Sequence, residues 1–463
     1  MSTARLNAGS VTALPDDVAR PGYDREGQRI GIVHLGLGAF HRAHQAVYTD
    51  DAMAAGDRNW AIAAASLRSA GMCAALAPQD GLYTVTERSG DGDRIRLIGA
   101  IRDVTVAARG PERLAALLAA PDTRLVTLTV TEKGYWRRPD GKTDLAGLLA
   151  NGNSIYHHLG QAVAARQAAG LDPLTLVSCD NLPDNGRVLR DGLAAFLDHH
   201  GMTRARDWFE RDWRCPNTMV DRIVPAVTDA DRERIEALLG QRDDGAVLTE
   251  PYRQWVIEED FAGERPRWEM GGARLVPDVR PYETAKLRML NGAHSALAYL
   301  GLEQGHGFVH QAVADPVIRP VVERLMRQEA ASSFTPAPGQ DLDRYADALL
   351  ARFANPALAH RLAQIASDGS QKVGPRWLAS LAEHGHRGET APATLTALAA
   401  WLRFSRTGHA LSPDPLSGEL AGLWARLGSD GIVDGLFGDG GLLADQWRPT
   451  DAQKALLQTL CEG

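Results

Sequence analysis

Residues 29–40 read RIGIVHLGLGAF, an apolar run that ends in two glycines, Gly36 and Gly38. The run predicts a buried strand, and the next residues, AFHRAHQAVYTDD (39–51), predict a helix. Glycines between a strand and a helix allow a tight turn and let backbone N–H groups approach a pyrophosphate. Because His41 stands at the third position of G-x-G-x-x-G, an ordinary strand–helix turn is the alternative.

His41 and His44 also raise the question of a metal site. They lie three residues apart on the predicted helix, a spacing that zinc sites use, but no third ligand of suitable spacing follows. We therefore expect no metal here, and we expect both histidines to be exposed or to cap a helix.

Further strand patterns follow in the first part of the chain. The apolar or alternating runs lie at 60–67, 82–101, 124–130 and 174–180. Residues 154–170 predict a helix between the last two, and alternation of strands and helices indicates a parallel sheet with crossover helices. After about residue 275 the patterns are those of amphipathic helices. The sequence therefore predicts an α/β domain over 1–276 and a mainly α-helical domain over 277–463.

Composition limits the class of partner. A formal net charge of −8 and a pI near 6.0 argue against nucleic acid or an anionic membrane. No apolar run approaches the roughly 20 residues of a membrane span, and the N-terminus lacks the apolar stretch of a signal peptide. Four scattered cysteines without C-x-x-C spacing fit a reducing compartment. We expect a cytoplasmic enzyme with no membrane partner.

One helix pattern of the second domain carries polar groups among apolar ones. In AKLRMLNGAHSALAYLG (285–301), Lys286, Asn291 and His294 interrupt an otherwise apolar segment. At about 100° per residue these three and Glu283 share an arc of about 140°. A lysine beside an apolar surface can act as a general base, and an asparagine amide can stabilise an alkoxide. The alternative is a solvated face with a Glu283–Lys286 ion pair.

The ends of three predicted strands supply further candidates. SCDNLPDNG (178–186) contains Asn181, a possible second amide donor beside Asn291, although asparagine also forms turns. TVTEKGY (129–135) would form another edge of the same cleft. SLRSAGM (66–72) lacks the acid that would bind the adenosine ribose and carries Arg68 instead, which leaves NADP possible.

Several long motifs, taken in order, resemble the polyol-specific long-chain dehydrogenase family. They are IVHLGLGAFHRAHQAVYTD, TVTEKGY, SCDNLPDNG, CPNTMVDRIVPA, QWVIEEDF and KLRMLNGAHSALAYLG. The family contains mannitol 2-dehydrogenases, fructuronate reductases (D-mannonate oxidoreductases) and arabinitol dehydrogenases. The resemblance runs from about residue 22 to beyond residue 380. It implies a Rossmann-type NAD-binding domain followed by a mainly helical catalytic domain, with the active site between them.

The resemblance also implies roles for the catalytic residues. Lys286, Asn291 and His294 match the family's K-x4-N-x2-H motif, in which the lysine is the general base and zinc is not required. Asn181 and Asn291 would form the oxyanion hole, and His294 would bind the substrate. Glu283 corresponds to a family glutamate associated with passage of the proton to solvent.

On the cofactor side, the resemblance implies NAD, with NADP not excluded. Asp221, in TMVDRI, matches a cofactor-side position of the family. The residues that we expect to bind the cofactor are Gly36, Leu37, Gly38, Phe40, His41, Arg68, Thr131, Glu132 and Asp221.

The stretch QIASDGSQKVGPRWL (364–378) favours the fructuronate reductase branch, which tends to have Q-I-A-x-D-G-S-Q-K. Mannitol dehydrogenases tend to have an arginine at the position of Gln364 and D-G-S-S-K further on. TEKGY, rather than T-E-G-G-Y, indicates the same branch. Gln364 and Lys372 are the expected substrate ligands, although the mannitol branch also has a lysine at the position of Lys372 and a lysine alone cannot separate an acid from a polyol.

The sequence therefore predicts an NAD-dependent enzyme, a monomer or homodimer, that acts on a small sugar acid, polyol or ketose. The leading substrate pair is D-fructuronate and D-mannonate. Mannitol 2-dehydrogenase and D-arabinitol dehydrogenase are the alternatives within the family. A nucleotide-binding regulator without catalysis is the alternative outside it, and the presence of Lys286, Asn291, His294 and Asn181 together argues against that alternative.

Overall fold

The computed structural model describes residues 3–138, 141–150, 152–407 and 412–462. By contacts between residues the chain divides into two units, Met1–Val279 and Arg280–Gly463. The assignment of separate functions to 1–276 and 277–463 stays a prediction. No helix in the described ranges has both the length and the apolar character needed to cross a bilayer.

The strands all belong to the first unit in the described part of the chain. They are Ile30–Leu35 (β1), Ala61–Ser66 (β2), Tyr83–Ser89 (β3), Gly92–Ile98 (β4), Ile101–Val106 (β5), Leu125–Leu128 (β6), Thr175–Ser178 (β7), Thr218–Asp221 (β8), Val247–Thr249 (β9), Gln254–Glu258 (β10) and Arg274–Val276 (β11). Five of them form a parallel sheet in the order β5-β2-β1-β6-β7. The predicted parallel Rossmann-like sheet is confirmed, and its strand order reverses between β1 and β6.

The predicted strands at 82–101 lie in a different sheet. β3 and β4 form an antiparallel hairpin, and β9 pairs with β3 in parallel, with Val85 opposite Val247. The alternating pattern of this region is typical of a sheet with one solvated face, whereas strands of a covered parallel sheet are apolar throughout. The sequence did not separate β5 from this hairpin. The remaining strands form a third sheet in the order β11-β10-β8.

The helices of the first unit connect and cover these strands. They are Ala39–Ala43 (α1), Gln45–Ala54 (α2), Gly71–Leu76 (α3), Pro111–Leu118 (α4), Leu145–Leu149 (α5), Ile155–Ala169 (α6), Asn185–His199 (α7), Thr203–Asp212 (α8) and Asp229–Leu239 (α9). The helix predicted at 154–170 is α6: Ser154 caps its N-terminus by accepting the His157 N–H, and Gly170 ends it with φ 64°.

The second unit is helical, as predicted. Its α-helices are Arg280–Ala285 (α10), Gly292–Glu303 (α11), Val309–Ala314 (α12), Ile318–Arg324 (α13), Leu342–Phe353 (α14), Leu362–Ile365 (α15), Gly369–Val373 (α16), Ala379–His386 (α17), Pro392–Thr407 (α18), Ser417–Phe437 (α19) and Asp451–Glu462 (α20). A non-helical residue, Gly428, divides α19. The core of this unit includes fully buried Ala293, Ala296 and Leu297 of α11.

Three π-helical segments interrupt these α-helices in the described residues: Lys286–Asn291, Leu325–Ala330 and Gly374–Leu378. A π-helix has i→i+5 hydrogen bonds, and the Gly292 N–H accordingly donates to the Leu287 carbonyl. Pro375 gives a reason for the third segment, because proline lacks the N–H and crowds the carbonyl four residues earlier in an α-helix. The sequence carries no comparable marker for the other two.

Glu329, in the π-helix Leu325–Ala330, caps a helix that is distant in sequence. Its buried carboxylate accepts the Ala393 N–H at 3.0 Å and the Thr394 N–H at 2.7 Å, in the first turn of α18. The Thr394 hydroxyl donates to it as well, at 2.8 Å. The first N–H groups of a helix have no partner within that helix, and a negative charge is stabilising there. Glu329 therefore fixes the start of α18.

We expect Glu329→Ala to lower the free energy of unfolding by about 2–4 kcal/mol, because two buried N–H groups lose a charged acceptor. Equilibrium unfolding in urea measures this change. Glu323→Ala is the matched control, since Glu323 forms a surface ion pair with Arg319, at 2.9 Å, and its loss should cost less than about 1 kcal/mol. Equal effects of the two substitutions would contradict the capping role.

Candidate active site

β1 ends in a turn that only glycine can form. Gly36 has φ 109°, and a Cβ on it would overlap the backbone carbonyl of Thr129. The Gly36 carbonyl accepts the Thr129 hydroxyl at 2.8 Å and lies 3.0 Å from Nε2 of His34. The turn is thus fixed from β1 and from the residue that follows β6.

A cleft of about 440 Å³ opens beside this turn. It lies at the carboxyl ends of β1, β2 and β6, where the strand order reverses and where such sheets bind ligands. The predicted cofactor residues that line it are Gly36, Leu37, Gly38, Arg68 and Thr131. The structure therefore brings the glycine turn, Arg68 of the loop after β2 and Thr131 of the loop after β6 together around one cleft.

The other predicted cofactor residues lie outside the lining of this cleft. Phe40 is half-buried on α1, Glu132 is exposed after β6, and Asp221 is buried at the end of β8. His41 is fully buried, and its ring stacks on His34 with centroids 3.3 Å apart. Cofactor binding by these four residues stays a prediction.

The expectation that His41 and His44 are exposed or cap a helix is wrong. Both are fully buried, and His44 interrupts the predicted helix between α1 and α2 without a side-chain cap. At the third glycine position, His41 of α1 packs its ring against His34 of β1. Burial lowers the pKa of His34 and of His44 to about 3 and holds the pKa of His41 well below its ordinary value. These imidazoles are therefore neutral.

Sequence reasoning missed several residues of the cleft. Asn153 and Ser154 line it at the start of α6, and Lys133 and Trp136 line it after β6. Two of them had a usable signal, because an Asn-Ser pair directly before a predicted helix marks a helix N-terminus. Lys133 stands within TVTEKGY, a motif that the sequence had already assigned to the edge of a cleft.

Asp180, at the end of β7, holds the loop that follows β6. Its carboxylate accepts the N–H groups of Val130 at 3.0 Å and Thr131 at 2.8 Å and the hydroxyl of Tyr135 at 2.7 Å. Thr131 has φ 66°, which is unusual for a β-branched residue. Burial raises the pKa of Asp180, while these hydrogen bonds oppose the shift. The next residue, Asn181, is exposed.

In the second unit, the predicted helix at 285–301 exists but is not a uniform α-helix. It consists of the end of α10, the π-helix Lys286–Asn291 and most of α11. With α-helical geometry Lys286 and Asn291 would lie about 140° apart. Because i→i+5 bonding places residues five apart about one turn from each other, the π-helix brings Asn291 under Lys286 on one face. Both residues are half-buried.

His294 follows Asn291 by three residues, on α11. Its ring stacks on Phe353 of α14 at 5.2 Å between centroids and meets His360 edge-on at 4.8 Å. Burial holds the pKa of His294 well below its ordinary value, and His360 lowers it further. A neutral imidazole has one donor and one acceptor nitrogen, so it can orient a hydroxyl group.

Three cationic side chains act on this histidine. Arg376, Arg352 and Lys372 each contribute to the lowered pKa of His294. Lys372, on α16, donates to the carbonyls of Ser367 at 2.5 Å and Ile365 at 3.3 Å, and burial lowers its pKa. Asp368 and Asp414 oppose this lowering of the Lys372 pKa, so acidic groups also lie near these cations.

The remaining predicted site residues of this unit lie on short helices. Glu283 is half-buried on α10, three residues before Lys286, and Gln364 is exposed on α15. In the described residues, no group of three or more His, Cys, Asp and Glu side chains is arranged to hold a metal ion.

Models of two domains of one known protein family match the two units of this chain. The model of the mannitol dehydrogenase Rossmann domain matches residues 30–270, and that of the mannitol dehydrogenase C-terminal domain matches residues 278–422. The D-mannonate oxidoreductase of Escherichia coli K12 is 38% identical over 473 residues, covering 96% of each chain. A mannitol 2-dehydrogenase of Pyrenophora tritici-repentis is 38% identical over 440 residues, covering 90% of this chain and 77% of that one.

Solved structures give the same result. The ternary complex of Pseudomonas fluorescens mannitol 2-dehydrogenase with NAD and D-mannitol has a TM-score of 0.80 and 33% identity, covering 99% of this chain and 96% of that one. The resemblance stated from the motifs is confirmed, as is the predicted class of enzyme, a secondary-alcohol dehydrogenase/reductase. This chain belongs to the mannitol dehydrogenase family of oxidoreductases.

Proposed function

We propose that this enzyme interconverts D-fructuronate and D-mannonate. The observation that carries the proposal is Lys372, a half-buried cation of the second unit whose charge acts on His294. A sugar acid brings a carboxylate that such charge stabilises, whereas a polyol brings none. Two further facts support it. One is the sequence QIASDGSQK (364–372), and the other is the 38% sequence identity to a D-mannonate oxidoreductase over 96% of this chain.

The cofactor of the proposed reaction is NAD, which the Pseudomonas fluorescens relative holds in its ternary complex. The cleft fits a dinucleotide: a Cβ on Gly38 would meet only the Gly36 carbonyl, at 3.8 Å, so the backbone there is open to a pyrophosphate. Arg68, exposed after β2, would lie on the adenosine side. When bound, the nicotinamide supplies the hydride donor or acceptor.

Lys286, with four further polar residues, provides the proton chemistry and stabilises the reacting oxygen. Lys286 takes the proton from the substrate hydroxyl during oxidation and returns it during reduction, so zinc is not needed. Asn291 supplies an amide donor to the alkoxide-like oxygen, and Asn181 supplies another. His294, held neutral, orients a neighbouring hydroxyl. Glu283 passes the proton on to solvent.

Mannitol 2-dehydrogenase is the second candidate. The relatives from Pyrenophora tritici-repentis and Pseudomonas fluorescens, which carry that name, favour it. Because the same catalytic residues serve either substrate, only the substrate itself separates the two activities. A monomeric or homodimeric state and a cytoplasmic location stay predictions.

We expect the purified enzyme to reduce D-fructuronate with NADH at least about tenfold faster, in kcat/KM, than it reduces D-fructose or D-xylulose. The physical reason is the carboxylate, for which a gain of about 1.4 kcal/mol gives this ratio. Oxidation of NADH and NADPH, followed at equal concentrations of the three ketoses, measures it. A preference for D-fructose would instead identify a mannitol 2-dehydrogenase.

Loss of the general acid/base should abolish most of the activity. Lys286→Ala is expected to lower kcat by about 10²–10⁴-fold, the usual contribution of such a group, with NADH binding unchanged. Lys454→Ala is the matched control, because Lys454 lies on α20 in an ion pair with Asp434. If Lys286→Ala stayed within a few-fold of the wild-type rate, the proposed mechanism would be wrong.

A further inference from the structure

Side chains of one π-helix of the second unit bind backbone carbonyls at the end of another. Arg376, in the π-helix Gly374–Leu378, donates through Nη1 to the Asn291 carbonyl at 3.3 Å and to the Ser295 hydroxyl at 2.5 Å. Its neighbour Trp377 is buried and donates through Nε1 to the Gly292 carbonyl at 3.1 Å. These two carbonyls stand where the π-helix Lys286–Asn291 ends and α11 begins.

The packing at this junction is close. A Cβ on Gly292 would lie 3.3 Å from the Arg376 carbonyl and 3.4 Å from the Trp377 indole nitrogen. Because Gly292 has no side chain, the two backbones lie close enough for Arg376 and Trp377 to reach the carbonyls. The two carbonyls belong to the last residue of one π-helix and the first residue of α11.

The register of the helix depends on this junction. A π-helix is rare because its i→i+5 bonds compete with the ordinary i→i+4 pattern. If Lys286–Asn291 relaxed to α-helical bonding, Asn291 would turn away from Lys286 to an angle of about 140°. The extra donors at the carbonyls of Asn291 and Gly292 stabilise the backbone at the point where the π-bonding must stop.

The guanidinium group of Arg376 is partly buried where it makes these hydrogen bonds. Burial lowers its pKa to about 10, so the group remains charged at neutral pH and its hydrogen bonds are charge-assisted. The Ser295 hydroxyl, one turn beyond Asn291, holds the same Nη1 in place. A side chain without N–H donors would lose both contacts.

We propose that Arg376 is a positioning residue, which holds the π-register that places Asn291 one turn from Lys286. This inference rests on the proposed roles of those two residues in proton transfer and alkoxide stabilisation. Trp377 assists by binding the next carbonyl.

Arg376→Met, which keeps an unbranched, flexible side chain but removes its donors, is the first test. We expect kcat to fall about 10- to 100-fold, because misplaced catalytic groups have effects of that size, while KM changes less than threefold. The fall should be similar for acidic and neutral ketoses, and the pH at which kcat is half-maximal should shift. Arg376→Lys, which keeps the charge and a single donor nitrogen, should restore part of the rate.

Arg403→Met is the matched control. Arg403, on α18, also donates to a backbone carbonyl, that of Leu460, and it binds Glu303 at 2.8 Å. This variant should lose stability but keep the wild-type kcat. If Arg376→Met lost stability to the same extent and also kept its kcat, Arg376 would be merely structural. If it raised only the KM for the acidic ketose, Arg376 would contact the substrate. Either result overturns the proposal.

Amide hydrogen exchange separates this inference from the proposed function. In Arg376→Met the amides of residues 287–292 should exchange faster than in the wild type and in Arg403→Met, whether or not any sugar is turned over. Unchanged exchange over 287–292 would overturn the positioning role. Inactivity of the wild type towards all three ketoses, with faster exchange in the variant, would support the role of Arg376 in holding the π-register and overturn only the proposed function.

Discussion

The carbonyl of Thr129 lies so close to Gly36 that no side chain fits between them. Because of this contact, β1 ends in a sharp turn against the end of β6, and Leu37 and Gly38 are placed where the strand order reverses. The Thr129 hydroxyl and the His34 imidazole both bind the Gly36 carbonyl, so the turn is held by each of its two strands. The cleft at the carboxyl ends of β1, β2 and β6 is a consequence of one close backbone approach.

The sequence was a good guide wherever burial alone decides the structure. The runs at 60–67, 124–130 and 174–180 are apolar because both faces of a parallel sheet are covered, and each contains a strand of that sheet. It was a poor guide at His41, since a histidine after a glycine turn suggests a surface position. Here the His41 ring is buried, and it stacks on the ring of His34 in β1.

The π-helix at Lys286–Asn291 could not have been predicted from the pattern of apolar residues. A shift of one hydrogen bond changes which side chains share a face but leaves the composition of the helix unaltered. The periodicity thus identified the helix and its three polar residues, whereas their alignment depends on donors from Arg376 and Trp377, which come from a distant part of the chain. Of the two segments, only the one that contains Pro375 carries a local sign of its geometry.

The pairing of β3 with β9 has a consequence for the order of folding. Val85 lies beside Val247, and the Leu6 N–H donates to the Arg242 carbonyl. Segments near the start of the chain therefore pair with segments about 160 or more residues later. Contacts between such distant residues are slow to form, because a long loop must be closed before they are gained. During synthesis the hairpin of β3 and β4 emerges with one edge unpaired. It stays open to other strand edges until the segment around residue 247 has left the ribosome.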